Sequence, residues 1–247
     1  FSPDEIFLYP LYIKHGVRLE KDGKAVALDS DHTFRLYQRG ADFLKERGYA
    51  QISMRRFVKR KGSEGVDGLQ AEFRECGFTG ALSLGCGGRS YLGRLHTCTP
   101  YRTTRQGALE EIEAYLERED FLTVTNGILL SEEEIRRRYV IKHLLIRPGI
   151  AKKMYRRIFG NEVTEDFPIL RNWMESGWLE EKRYQSNGEG TGCQEDSEFL
   201  SLTEEGLGLS DYIGPQLISA DIRKKMLEWE KSNGQENNLL QGEPEKL

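Results

Sequence analysis

The sequence lacks several features that would identify a function at once. None of its apolar runs approaches the roughly 20 residues that a membrane-spanning helix needs. The first stretch, FSPDEIFLYP, carries acids where a secretory signal carries a basic segment followed by a longer apolar one. We therefore expect a soluble, cytoplasmic protein with no membrane partner. The sequence also lacks an initiating Met, so we expect a segment upstream of Phe1.

Cysteine is scarce and shows no standard metal-binding spacing. The four cysteines, Cys76, Cys86, Cys98 and Cys193, include no CxxC pair, which is typical of free thiols in a reducing compartment. A metal site could combine Cys86 and Cys98 with His96, but this spacing matches no zinc or iron–sulfur pattern. Because Cys often acts as a small buried hydrophobe, the sequence favours packing and predicts no metal ligand.

An excess of positive charge is also missing. Lys and Arg number 36 against 40 Asp and Glu, a formal net charge of -4, so nucleic acid would need a local basic patch. Residues 131–160 hold nine basic residues against three acids, but the segment that follows is acidic at Glu165, Asp166 and Glu175. This pattern favours a solvated charged face, and no nucleic-acid partner is expected.

Recognisable catalytic groupings are absent as well. The four histidines, His15, His32, His96 and His143, share no catalytic spacing with a Ser or a carboxylate. Carboxylates are plentiful, but none forms a recognisable acid–base pair. The catalytic residues therefore stay unknown at the level of sequence.

The first half of the chain predicts strands that alternate with helices. EIFLYPLYI, from Glu5 to Ile13, is dense in aromatic and branched residues and predicts a buried strand. The spacing of Tyr37, Ala41 and Leu44 predicts a helix that Gly48 ends, and AQISMRRF predicts the next strand. This strand–helix–strand order is typical of a parallel α/β unit.

The stretch SLGCGGRSYLG, residues 83–93, is the most unusual in the chain. Glycines without a Cβ can bring backbone N–H groups close to an anion, and an Arg among them can bind a carboxylate or phosphate. The stretch nevertheless matches neither GxGxxG before a helix nor GxxxxGK[ST]. The pattern alone favours a tight turn at a strand end over a phosphate or metal site. The next segment, TRQGALEEIEAYLER, predicts a helix with Leu109, Ile112 and Leu116 on its apolar face.

The second half predicts helices and a two-stranded wing. A capping box of Ser131 and Glu134 opens one helix, AKKMYRRIFG and EDFPILRNWMESG predict two more, and WLEEKRY and EFLSLT predict two strands. Thr203 caps a further helix, which Pro215 is expected to kink.

These elements divide the chain into three regions. An α/β part covers residues 1–127, and a helical, winged-helix-like domain covers residues 128–230. The last region, residues 231–247, is polar and is predicted to be disordered.

Read together, these segments resemble the C-terminal half of the coproporphyrinogen III oxidase-like radical SAM proteins. The resemblance is carried by FLYPLYI, LYQRGADFLKERGYAQISMRRFVK, LGCGGRSYLG, YVIKHLLI and LTEEGLGLSDYIGPQLIS, and it runs from about Ile6 to Met226. QISMRRF and GCGGRSY depart from the oxidase itself, in which the strand ends in a Tyr-Glu-Ile-Ser-Asn-Phe pattern.

The resemblance implies a partial (β/α) radical SAM barrel, of which this chain holds the C-terminal part, followed by a winged-helix-like domain. Family members hold a [4Fe-4S] cluster through a CxxxCxxC motif and cleave S-adenosylmethionine to a 5'-deoxyadenosyl radical that abstracts hydrogen from substrate. That motif is absent here, so it is expected upstream, and this chain alone is expected to be inactive. The implied partners are the N-terminal half of the barrel, an electron donor and a small-molecule substrate, with tetrapyrroles among the candidates.

The resemblance also assigns two groups of cofactor-binding residues. Tyr9 and Pro10 match the strand end beside the adenosine part of S-adenosylmethionine. The late-barrel loop that closes over the same cofactor corresponds to Gly85, Gly87, Arg89 and Ser90. Arg89 stands where the oxidase has an aliphatic residue, and Cys86 matches no cluster ligand.

The implied function is that of a radical SAM oxidoreductase acting in or near tetrapyrrole metabolism. Relatives of this fold also act as haem chaperones, which is one alternative. Another is a non-enzymatic module that uses its winged-helix-like end to bind nucleic acid or a protein.

Overall fold

The computed structural model of the protein describes residues 2–12, 30–60, 80–100, 102, 104–184 and 197–232. The strands are β1 (Glu5–Phe7), β2 (Tyr49–Gln51), β3 (Arg56–Lys59), β4 (Arg89–Leu92), β5 (Leu95–Cys98), β6 (Gly127–Leu129), β7 (Ile150–Ala151), β8 (Leu179–Tyr184) and β9 (Ser197–Leu202). The helices are α1 (Ser30–Glu46), α2 (Arg105–Leu116), α3 (Glu132–Leu144), α4 (Lys152–Phe159), α5 (Val163–Asp166), α6 (Ile169–Glu175), α7 (Glu204–Gly208), α8 (Ser210–Gln216) and α9 (Ala220–Ser232).

The chain divides into two units, each assembled from three separate stretches. The first unit comprises Phe1–Tyr9, Arg35–Phe78 and Glu133–Ile218. The second unit comprises Pro10–Phe34, Thr79–Glu132 and Ser219–Leu247. The N-terminal strand β1 thus belongs to the same unit as the helices from α4 to α8, and the division into residues 1–127 and 128–230 stays a prediction.

The first unit contains the N-terminal sheet, in the order β1-β3-β2. Both pairings are antiparallel, so β1 and β2 run in the same direction with β3 between them. The predicted parallel pairing is therefore wrong for these strands. The predicted helix is confirmed as α1, which buries Tyr37, Ala41 and Leu44 and is followed by Gly48 at a φ of +85°.

The segment AQISMRRF forms a hairpin turn, where a single strand was predicted. The Ile52 N–H donates to the carbonyl of Arg56 (2.8 Å), and the Arg56 N–H donates to Ser53 Oγ (3.2 Å). The Ser53 side chain thus satisfies a backbone donor of the turn, which allows β3 to fold back on β2. The first predicted strand is also shorter than expected, since β1 ends at Phe7, and Ile13 lies outside the described residues.

The first unit also holds the main hydrophobic core, which is built by α3 to α8 and a second antiparallel sheet, β7-β9-β8. The strands predicted in WLEEKRY and EFLSLT are confirmed as β8 and β9. Their connecting loop lies outside the described residues. The predicted third helix is split into α5 and α6 at Phe167 and Pro168. The helix that Thr203 caps divides at Leu209, and Pro215 lies inside α8.

The second unit contains the sheet β4-β5-β6, which is antiparallel throughout, together with α2 and α9. A two-residue turn joins β4 to β5, and Gly93 in this turn has a φ of +59°. Helix α9 extends through Ser232, two residues into the predicted disordered tail, and the rest of that tail lies outside the described residues.

The α2 helix turns its apolar face outward. Leu109 and Ile112 are each 43% exposed and Leu116 is 74% exposed, whereas Gly107 is buried. The face that is turned inward also carries Glu111, which accepts from Arg102 Nε at 2.8 Å. The side of α2 that contacts its own unit thus carries Gly107, Glu111 and Tyr115, and not the predicted apolar face.

The fold is therefore mixed α/β with small antiparallel sheets. Every strand pair in the described ranges is antiparallel. No described helix combines the length and the apolar character that crossing a bilayer requires.

Candidate functional site

The glycine-rich loop before β4 is a turn that side chains would obstruct. Gly85 and Gly87 have φ angles of +93° and +84°, in the left-handed region that favours glycine. At Gly88 the obstacle is space, because an added Cβ would lie 2.7 Å from the Cβ of Ser83. Three glycines of the loop are thus required by its own geometry.

The backbone donors of this loop already have partners within the second unit. The Gly85 N–H donates to the Tyr115 hydroxyl at 3.1 Å, and the Gly87 N–H donates to Thr99 Oγ1 at 3.0 Å. The Gly88 N–H donates to the carbonyl of Gly85 at 3.3 Å. An anion-binding loop needs N–H groups that point at the ligand. In this conformation the N–H groups of Gly85 and Gly87 instead hold the loop against α2 and Thr99.

Ser90 is also directed inward. It is 7% exposed, and its hydroxyl accepts the Ser83 N–H at 3.1 Å. The Ser83 hydroxyl in turn donates to the carbonyl of Arg89. These two serines fasten the start of the loop to the first residues of β4.

Arg89 is the loop side chain that can reach a ligand. It is exposed at the start of β4, opposite Cys98 in the β4–β5 pairing. Within the described part of the chain its guanidinium has no ion pair or hydrogen bond. A guanidinium in this setting can bind a carboxylate or a phosphate through two parallel hydrogen bonds.

The second predicted group lies at the end of β1, in a different stretch of the chain. Tyr9 follows β1 in the first unit and is 60% exposed, and Pro10 comes next. The Arg55 guanidinium carbon lies 5.7 Å from the centre of the Tyr9 ring. Arg55 also forms an ion pair with Asp211, with 2.5 Å between Nη2 and Oδ1. The sequence did not reveal Arg55 and Asp211, because no motif or spacing in it links either residue to Tyr9.

The described cysteines do not form a metal site with His96. Cys86 Sγ lies 3.8 Å from the carbonyl oxygen of Glu111, and Cys98 Sγ lies 3.6 Å from Asn126 Nδ2. His96 contacts the ring of Tyr91, with 4.9 Å between ring centres. Among the residues whose placement is described, no group of three metal-ligating side chains comes together. Cys76 and Cys193 lie outside the described residues.

A polar network around Asp166 joins α4 to α5 in the first unit. The Asp166 carboxylate accepts from the Tyr155 hydroxyl (2.7 Å) and from Asn161 Nδ2 (2.9 Å), with Arg136 Nη1 at 3.8 Å. Burial acts to raise the pKa of Asp166, but the bonds from Tyr155 and Asn161 outweigh it and hold that pKa below its usual range. Burial, with the neighbouring Asp166 carboxylate, raises the pKa of Tyr155 well above its ordinary value.

At least two of the four basic residues of α4 have acidic partners. Lys152 Nζ lies 2.8 Å from Glu181 and 3.5 Å from Glu198, and Arg156 pairs with Glu162. These ion pairs reduce the charge that α4 would offer to a phosphate backbone.

The fold of this chain is similar to a solved structure, that of coproporphyrinogen III oxidase from Escherichia coli, a radical SAM enzyme. The TM-score is 0.60, with 16% identity, over 87% of this chain and 48% of that chain. The chain thus spans about half the length of that protein. At this identity the likeness concerns the fold alone. No family model and no curated protein matches the sequence.

Proposed function

We propose that this chain is the C-terminal half of a radical SAM oxidoreductase related to coproporphyrinogen III oxidase, acting in or near tetrapyrrole metabolism. The observation that carries the proposal is the fold likeness to that enzyme over 87% of the chain. It agrees with the sequence resemblance from about Ile6 to Met226, which rests on different information. A tetrapyrrole substrate is the part of the proposal that depends most on the resemblance.

The helical part supports the winged-helix-like half of the proposed fold. Its elements follow in the order α3, β7, α4, α5, α6, β8, β9, and its sheet has the order β7-β9-β8. The N-terminal sheet gives the barrel half no such support, because β3 lies antiparallel between β1 and β2.

Two observations, each within its own unit, support the roles that the resemblance implies: Arg89 is exposed at the start of β4 in the second unit, and Tyr9 is exposed after β1 in the first. In the proposal Arg89 binds a carboxylate, either that of the cofactor or a propionate of the substrate, and the Tyr9 ring lies against the adenosine. Because the N–H groups of Gly85 and Gly87 are engaged by Tyr115 and Thr99, these glycines contribute loop shape and close approach. Bound S-adenosylmethionine would supply the 5'-deoxyadenosyl group of the family's chemistry.

The described residues do not fit a [4Fe-4S] cluster. They bring no three Cys, His or carboxylate side chains together, and the sequence has no CxxxCxxC motif. In the proposal the cluster and its electron donor belong to further polypeptide, which supplies the other half of the barrel. The outward apolar face of α2 supports such a partner, because exposed leucines and isoleucines along one helix face commonly mark an interface.

The role of Arg89 is tested by measuring S-adenosylmethionine binding by calorimetry. We expect Arg89→Met to raise Kd by about tenfold or more, because a charge-assisted hydrogen bond contributes about 1.5–3 kcal/mol. Arg105→Met is the matched control, since Arg105 is an exposed arginine of the same unit, on α2. Equal affinities of Arg89→Met and the unaltered chain, or no binding by the unaltered chain, would contradict the assignment.

The enzyme activity is tested on a chain extended upstream and reconstituted with iron and sulfide without oxygen. We expect it to form 5'-deoxyadenosine from S-adenosylmethionine when a reductant is added. If the extended chain forms no cluster and cleaves no cofactor, the proposed activity is wrong.

A further inference from the structure

An ion pair in the first unit lies directly beside Tyr9. Arg55 is in the turn between β2 and β3, and Asp211 is in α8. Their side chains meet at 2.5 Å although the residues are 156 positions apart in the chain. Both side chains are about one-third exposed, 35% for Arg55 and 36% for Asp211. The pair therefore ties the N-terminal sheet to the helical part of the same unit.

Arg55 is fixed to β1 by its backbone as well as to α8 by its side chain. Its carbonyl accepts the Leu8 N–H at 2.8 Å, and Leu8 immediately precedes Tyr9. Arg55 is thus held at two points: its backbone carbonyl is bonded next to the strand end that carries the tyrosine, and its guanidinium is bonded to Asp211 of α8. A side chain held in this way has little rotamer freedom left to lose on binding a ligand.

The guanidinium lies over the Tyr9 ring at 5.7 Å, within the roughly 6 Å at which a cation and an aromatic face attract each other. The ring itself is 60% exposed, so most of its surface is not held by packing. The contact from Arg55 is therefore one that can orient the ring. The carboxylate of Asp211 fixes the guanidinium in that position and balances its charge.

We propose that Arg55 and Asp211 are positioning residues for Tyr9, and that through them helix α8 controls how the end of β1 presents the tyrosine ring to a ligand. The first part rests only on contacts within the first unit. The ligand part rests on the proposed function, in which Tyr9 lies against the adenosine of S-adenosylmethionine. A disturbance in α8 would then reach the ligand through Asp211, Arg55 and Tyr9 in turn.

The orientation of Tyr9 can be measured without any ligand by fluorine NMR. The chain is labelled with 3-fluorotyrosine at its 11 tyrosines, and Tyr9→Phe identifies the Tyr9 resonance by removing it. We expect Arg55→Met and Asp211→Asn to move or broaden this resonance, and Arg55→Lys to have a smaller effect because it keeps the charge. Lys45→Met is the control, since it removes another ion pair of the first unit, Lys45 with Glu204 at 3.4 Å. An unmoved Tyr9 resonance in the two main variants overturns the positioning role.

The link to the ligand is tested with S-adenosylmethionine as the probe. We expect Arg55→Met and Asp211→Asn each to raise Kd by about two- to fivefold, as a cation–aromatic contact at an exposed site would. Tyr9→Phe should retain affinity, because the ring face makes the contact. Added to Tyr9→Ala, Arg55→Met should have no further effect. Equal and additive losses in every variant, including Lys45→Met, would indicate a general loss of stability and overturn the link.

The two tests separate this inference from the proposed function. If the unaltered chain does not bind S-adenosylmethionine, the cofactor assignment fails, while the NMR result still decides whether Arg55 and Asp211 orient Tyr9. If the chain binds the cofactor but the Tyr9 resonance has the same position and width in both variants as in the unaltered chain, the proposed function stands and the positioning role fails.

Discussion

Asp166 is a single carboxylate that receives two hydrogen bonds and lies near one arginine. The bonds from Tyr155 and Asn161 and the charge of Arg136 favour its ionised form over the protonated form. The pKa of Asp166 in the folded protein is therefore lower than in the unfolded chain, in spite of the burial that acts against it. A carboxyl group with a lowered folded pKa contributes stability above its unfolded pKa, and this contribution is lost as the pH falls.

We expect the free energy of unfolding to decrease as the pH falls from about 5, through the unfolded pKa of about 4, towards the lower pKa of folded Asp166. Asp166→Asn should make this decrease smaller, since an amide does not titrate. Tyr155→Phe should act in the same direction, because it removes the donor that lowers the pKa. Urea unfolding at a series of pH values measures the slopes, and an unchanged slope in both variants would contradict the role of this network.

Tyr155 titrates at the opposite end of the pH range. Its pKa in the folded protein is raised by burial and by Asp166, so its contribution to stability is complete below its unfolded pKa of about 10 and is lost above it. We expect the unaltered chain to lose stability above pH 10 more steeply than Tyr155→Phe. Urea unfolding between pH 9 and 11 measures this difference, and equal slopes would argue against the raised pKa.

Residue by residue, the candidate site was only partly predictable. The glycines and Arg89 stand out in SLGCGGRSYLG because glycine and arginine in such a loop have recognisable chemistry. The groups that brace or orient the site do not, since Tyr115 is 30 positions from Gly85 and Asp211 is 156 positions from Arg55. Contacts over such separations depend on tertiary folding, which no local pattern records.

At the level of elements, helix α2 shows what a periodic pattern of apolar residues can predict and what it cannot. The sequence predicts the helix and the face that holds Leu109, Ile112 and Leu116. It does not predict which face contacts the rest of the unit, and the structure shows that this is the face of Gly107 and Tyr115. Period 3.6 fixes which residues share a side of a helix, but not what that side meets.

Adjacent residues of α2 should therefore respond in opposite ways to substitution. We expect Leu116→Glu to change the free energy of unfolding by no more than about 0.5 kcal/mol, because the side chain is exposed. It should also lower the binding of a hydrophobic dye. Tyr115→Phe should cost about 1 kcal/mol, since the Gly85 N–H loses its acceptor. Chemical unfolding and dye fluorescence measure both, and a larger loss for Leu116→Glu would contradict the outward orientation.

The strands were harder to predict than the helices. Helices α1, α3 and α4 follow from periodic apolar residues and end signals such as Gly48 and Gly160, both of which have positive φ. Strand direction depends instead on a partner elsewhere in the chain. The hairpin at Ser53 reverses the chain inside a segment whose composition resembles one continuous strand, so the antiparallel order was not visible in advance.

On the scale of the whole molecule, the buried hydrophobic residues are concentrated in the first unit. Its core includes Tyr155, Leu170, Trp173 and Leu200, whereas Leu130, at 7% exposed, is the one buried apolar side chain among the described residues of the second unit. Since burial of apolar surface is the dominant stabilising term, the two units should differ in stability.

We expect amide hydrogen exchange to reveal this difference. Peptides covering β8 and β9 should exchange slowest, while peptides covering β4 to β6 should exchange through openings of lower free energy. Leu200→Ala should lower the global free energy of unfolding by about 2–5 kcal/mol, as truncation of a fully buried leucine does. Equal protection of the two sheets in mass-spectrometric exchange would contradict the expected order.

The pairing between the N-terminal sheet and the helical part has a practical consequence for dissecting this protein. Ile146 packs on Ala50 and Ile52, and the Arg147 N–H donates to the carbonyl of Ile52 at 2.8 Å. A gene fragment that starts at residue 128 would uncover this side chain and leave that donor without its acceptor. A cut at residue 128 therefore separates groups that contact each other within the first unit. We expect a soluble C-terminal fragment to need Ile146 replaced by a polar residue or the first 60 residues supplied as a second polypeptide.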